Sequence, residues 1–96
     1  IDVFDTAVRM YPTDNIANLN AAAAALSKGD MAKAENYLKK ANNNSAEYAN
    51  NMGVLYMLHG DLTKAKEEFM KASQKGLKTA VHNLQEIEKK METDQQ

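Results

Sequence analysis

The side chains in this 96-residue chain best placed to do chemistry are two histidines, a few serines and scattered carboxylates. A helical metal site needs a second strong ligand three or four residues away, and neither His59 nor His82 has another histidine or a cysteine at that spacing. His59 directly precedes Gly60, where an imidazolium at a helix C-terminus is modestly favoured by the peptide dipoles, so its expected role is structural. His82 is kept as a binding candidate because it can face a groove. Ser45 and Ser73 lack a nearby histidine base, and no apolar segment surrounds a carboxylate closely enough to raise its pKa for acid catalysis. Gly29-Asp30 and Gly60-Asp61 lack the further glycines of a phosphate loop and put an acid where the anion would sit. With no cysteine there is no disulfide, thiolate metal site or thiol nucleophile. The expectation is therefore a binding chain, without catalytic residues, metal or cofactor.

Composition narrows what could be bound. A formal net charge of −1 offers no general attraction to nucleic acid or to an anionic membrane. The longest apolar run, Ala21 to Leu26, is far below the roughly 20 residues of a membrane-spanning helix. The expected partner is a protein or peptide, with no nucleic acid and no direct membrane insertion. Apolar residues at 44% with a single proline suit an all-helical domain.

Such a domain must present its side chains on helices, and punctuation residues divide the chain into six. Val3, Phe4, Ala7, Val8 and Tyr11 are spaced as one helical face over residues 2–11, which Pro12 closes. Helices are then predicted at about 14–28, with Thr13 or Asp14 as cap, 30–42 behind Asp30, 45–59 behind Ser45, 61–75 behind Asp61, and 78–92. Gly29, Gly60 and Gly76 are the terminators, Asn42-Asn43-Asn44 is a turn, and Thr93 to Gln96 should fray. Charges four residues apart, Glu35 with Lys39, Lys64 with Glu68, Glu67 with Lys71 and Glu86 with Lys90, mark solvated outer faces.

Laid over itself at an offset of 31 residues, the chain repeats a phrase. Gly29-Asp30-Met31-x-Lys33-Ala34-x-x-x-Leu38-x-Lys40-Ala41 returns as Gly60-Asp61-Leu62-x-Lys64-Ala65-x-x-x-Phe69-x-Lys71-Ala72. A period of that size indicates stacked helix pairs. Small residues should mark the closest helix approaches, Ala22 facing Ala34 and Gly53 facing Ala65.

The pattern resembles the tetratricopeptide repeat, whose unit is a 34-residue helical hairpin. Residues 46–76 carry it through Gly53, Tyr56, Gly60, Asp61, Ala65, Phe69 and Ala72, and residues 15–45 through Ala22, Ala25, Gly29, Asp30, Ala34, Leu38 and Ala41. Departures are Asn18 and Ala49 at a position usually aromatic, and a first repeat shortened to 31 residues. The resemblance implies an all-α superhelix of helical hairpins over residues 1–92. It would contain a half-repeat at 1–12, repeats at 15–45 and 46–76, and a capping helix at 77–92.

The resemblance also implies a concave peptide groove lined by the first helix of each pair. Its contact positions fall on Ile16, Leu19, Asn20, Ala23, Leu26 and Ser27. They recur as Glu47, Asn50, Asn51, Val54, Met57 and Leu58, and in the last helix as Lys78, Val81, His82 and Gln85. The candidate site is Leu19, Asn20, Ala23, Asn50, Asn51, Val54, Met57, Lys78 and His82, a mixed apolar and amide surface. Leu19, Leu26 and Leu58 could equally be buried between repeats. The family variant that clamps a C-terminal carboxylate has Lys and Asn where Leu19 and Ala23 stand, which argues against that specificity. Val3 and Phe4 would be left under-covered, as a surface for an upstream segment or a second copy. Alternatives to groove binding are a structural brace and an accessory domain of an enzyme. The alanine run and clustered asparagines are also similar to repeat tails of bacterial cell-envelope proteins, which would imply a periplasmic or envelope setting.

Overall fold

The computed structural model describes residues 15–41 and 44–94. The opening helix expected at 2–11, the Val3 and Phe4 face, the Thr13 and Asp14 caps and Asn42-Asn43 lie outside the described residues. Those described form five helices and no strand: α1 (Asn15–Ser27), α2 (Met31–Lys40), α3 (Ala46–Leu58), α4 (Leu62–Gln74) and α5 (Lys78–Asp94). None of these is long and apolar enough to cross a membrane.

Turn chemistry sets the boundaries. After α1 the Asp30 amide donates to the Ala25 carbonyl and the Gly29 amide to that of Leu26. After α3 the Asp61 amide bonds to Tyr56 and that of Gly60 to Met57. These paired bonds satisfy the last carbonyls of each helix and require left-handed backbone, supplied by Gly29 at φ 77° and Gly60 at φ 87°. One residue on, the Asp30 carboxylate accepts from the Lys33 amide and that of Asp61 from the Lys64 amide, each at 3.1 Å. A stop and a start thus occupy two adjacent residues, folding α1 back on α2 and α3 back on α4. Ser45 caps α3 in the same way, its hydroxyl accepting from the Tyr48 amide at 3.1 Å.

The two hairpins stack in sequence, and α3 packs against both α1 and α2, while α5 lies along α4. The result is an elongated body, 48 × 25 × 17 Å. Leu19, Ala22 and Leu26 of α1 meet Ala34, Tyr37 and Leu38 of α2 and Leu55 of α3 in a first core. Ala65 and Phe69 of α4 meet Ile87 of α5 in a second, with Val54, Met57 and Leu84 against it. Ala49, Ala72 and Ala80 join α3, α4 and α5 between them.

Three details depart from expectation. The tight partner of Gly53 is Phe69 instead of Ala65: a Cβ at Gly53 would stand 2.5 Å from two atoms of that ring. The charged pairs are also chosen differently. Glu68 binds Lys71 at 3.0 Å and Glu86 faces Lys89, each three residues along its own helix, and Glu35 reaches His59 of the next hairpin. Finally, α5 continues through Thr93, whose hydroxyl donates to the Lys89 carbonyl, to Asp94. Its Lys89 and Lys90 are good helix formers, and no glycine or proline interrupts it.

Candidate functional site

The face that the repeat pattern makes the inner one is carried by α1, α3 and α5, and on α1 and α3 its exposed residues are few. On α1 only Ile16, Asn20, Ala23 and Ser27 are exposed, and every other residue is buried or half-buried. Their spacing of four, three and four residues draws one line along the helix. On α3 the corresponding line begins at exposed Glu47, passes half-buried Asn50, Val54 and Met57, and ends at exposed Leu58. On α5, Lys78, Val81, His82 and Gln85 are all exposed.

The nine residues singled out from sequence therefore divide by environment. Asn20, Ala23, Lys78 and His82 are open to solvent, and Asn50, Val54 and Met57 are partly so. Leu19 and Asn51 are each only 6% exposed. Leu19 belongs to the first core, as does Leu26, whereas Leu58 is on the surface. The Asn51 amide nitrogen donates to the Leu19 carbonyl at 3.1 Å, joining α3 to α1 across the repeat boundary. A buried amide used this way costs free energy if its partner is removed, so it fixes the angle between hairpins.

The next boundary is tied by the same chemistry, shifted by one residue. Asn83 of α5 donates to the Asn50 side-chain oxygen at 2.9 Å. Leu19 and Asn50, the two acceptors, keep the 31-residue offset, but Asn51 and Asn83, the two donors, stand one residue further apart. One residue is about 100° of helical rotation, so His82, which shares the phase of Asn51, is left in solvent. Periodicity alone had no signal for Asn83, because its acceptor is a side-chain oxygen whereas that of Asn51 is a backbone carbonyl.

The composition of this face is apolar and weakly charged. Of the large apolar side chains most exposed among the described residues, Ile16 at 71%, Leu58 at 42% and Val81 at 41% stand on α1, α3 and α5. Met70, on α4, is the fourth. Glu47, Lys78 and His82 are the charged or titratable groups of the face. Among the described residues no group of three or more His, Cys, Asp or Glu side chains could hold a metal. His59, at the end of α3, lies 3.3 Å from Glu35 of α2 and links the two hairpins.

The tetratricopeptide repeat family profile matches residues 17–45 and 46–74, the two hairpins α1–α2 and α3–α4, which together make up more than half of the chain. No curated protein and no solved structure matches it. Two tandem matches, hairpins closed by Gly-Asp turns, and small residues at the helix contacts agree, and the chain belongs to the tetratricopeptide repeat family.

Proposed function

We propose that this protein is an interaction module that holds a peptide or partner segment on the face formed by α1, α3 and α5. Tetratricopeptide repeats generally mediate protein–protein interaction or scaffolding and are typically not enzymes. One observation supports the finer reading: Ile16, Leu58 and Val81, three of the most exposed large apolar side chains, stand one on each of α1, α3 and α5, at positions the repeat pattern assigns to the inner face. Exposed apolar side chains gathered on one face mark an interaction surface better than the same residues scattered singly. Asn20 and the amide hydrogens of Asn50 would bond a peptide backbone without selecting charge, while Glu47, Lys78 and His82 would bias its register. Leu19 and Asn51 support the face from beneath.

The test uses a displayed library of random dodecapeptides panned against the whole chain, with affinities of the enriched peptides measured by calorimetry. A Leu58→Glu/Val81→Asp variant changes only exposed positions and should melt close to wild type. It should bind the selected peptides at least tenfold more weakly; undiminished affinity would remove this reading. A structural brace that self-associates through Val3 and Phe4 is the competing use, and for it the same variant would change nothing.

A further inference from the structure

The opposite side of α3 is also open. At 100° per residue, Tyr48, Met52 and Tyr56 stand on the side of that helix turned away from Glu47, Val54 and Leu58. They floor a crevice of about 490 Å³, walled by Glu68, Lys71 and Lys75 of α4. That volume lies within the roughly 300–1,000 Å³ of ligand sites. The floor offers two aromatic rings and a thioether, all half-buried, on a helix already fixed by its contacts with α1, α2 and α4.

Charge decides what could lie there. The Lys64 ammonium stands 5.6 Å from the centre of the Tyr56 ring, so that aromatic face already has its cation. Lys71 is hydrogen-bonded to Glu68 at 3.0 Å, and Lys75 has no ion pair among the described residues. A cationic guest would meet Lys71 and Lys75 along one wall; a carboxylate would meet an uncommitted ammonium at Lys75 with Lys71 one helical turn away. The floor from Ser45 to Tyr56 runs about 16 Å at 1.5 Å per residue. An extended chain covers that in about five residues at roughly 3.3 Å each.

We infer that this crevice is a second peptide-docking site, on the side of α3 opposite the inner face, and that it takes a short extended segment with apolar side chains at its centre and acidic residues at its ends. Apolar side chains cover the tyrosines and Met52, one terminal acid meets Lys75, and the other lies toward Lys64 over Tyr56, where it competes with Asp61, 3.9 Å from that ammonium. The inference is independent of the reading of the inner face.

Methionine methyl groups separate the two sites, because Met52 lines the crevice and Met57 belongs to the inner face. The chain, labelled with ¹³C at its methionine methyls, is titrated with the synthetic pentapeptide Glu-Leu-Phe-Leu-Asp and, separately, with Lys-Leu-Phe-Leu-Lys. The acidic peptide should move the Met52 resonance saturably and leave Met57 in place, binding at least tenfold more tightly than the basic one and more weakly as salt is raised. Lys75→Glu should weaken it at least fivefold and the charge-neutral Lys75→Gln by less, both with wild-type melting. A Met52 signal that does not move up to millimolar peptide overturns the inference. So does movement of Met57 alone, or equal binding of the basic peptide.

Discussion

Gly53 is a point of close contact between α3 and α4, and adding one methyl group there tests the packing directly. Its backbone is ordinary α-helix within α3, so Gly53→Ala should gain about 1 kcal/mol of helix propensity if nothing else intervened. The new Cβ would stand 2.5 Å from Phe69 Cδ1 and Cε1 and 3.0 Å from Cζ, whereas carbon atoms attract best at about 3.5–4.0 Å. The ring would have to retreat by about 1 Å. It is fully buried against Ala65 and Ile87, so the cost belongs at the top of the usual overpacking range, about 3 kcal/mol. The difference is a net loss of about 2 kcal/mol, or a melting temperature lower by about 8–16 °C for a domain of this size. Urea unfolding followed by circular dichroism at 222 nm measures it, with an unchanged slope showing that the unfolding unit is the same. Adding Phe69→Leu should recover at least about 1 kcal/mol of coupling. A Gly53→Ala variant as stable as wild type, or a cycle with no coupling, would refute Phe69 as the obstacle.

Gly60→Ala should also destabilise, by about 1–2 kcal/mol, yet for a different reason: nothing lies within 4 Å of the added Cβ, and the cost is that of holding alanine at φ 87°. Gly60→Asn should therefore restore part of the melting temperature, which no change at Phe69 would do. Asn51→Leu should lower stability by about 1–3 kcal/mol in the same unfolding assay, because it removes the bond to the Leu19 carbonyl between α3 and α1. The Glu68 carboxylate, through its hydrogen bond and its charge, holds the Lys71 ammonium above its ordinary pKa of 10.5; Glu67 and Tyr56 act in the same sense. A raised folded-state pKa gives stability that is present below about 10.5 and is lost as pH climbs through the folded value. Glu68→Gln should bring the Lys71 titration, read from its side-chain ¹³C resonance, back toward 10.5.

The parts of the fold written locally in the chain were the parts that sequence could reveal. Gly29-Asp30 and Gly60-Asp61 each specify a helix stop and a helix start through their own backbone and side chain, so the hairpins and their order followed without knowledge of packing. What depended on neighbours did not follow. Gly53 was expected to admit Ala65, but the ring that fills the space comes from Phe69, one turn along α4. Glu35 and Lys39 have the spacing of a helical pair, yet Glu35 turns to His59 of the next hairpin. Asn51 read as a ligand-binding amide because its type and phase suit that role; only three-dimensional placement shows its nitrogen bonded to a backbone carbonyl. The exposed line on α1 was legible because the family pattern and the helical period agree on it. Asn83 was not legible because its acceptor is the Asn50 side chain, whereas Asn51 bonds to a backbone carbonyl, and no repeat offset encodes that difference.

The claim that α1, α3 and α5 form one face for a partner segment is tested most directly by amide chemical-shift mapping of the intact chain with its tightest selected dodecapeptide. Asn20 and Ala23, Leu58, and Val81 and His82 should shift together and saturate at one affinity, while Asn36 on α2 and Met70 on α4 stay in place. Shifts gathered on α2 and α4, or spread without saturation over all five helices, would contradict it.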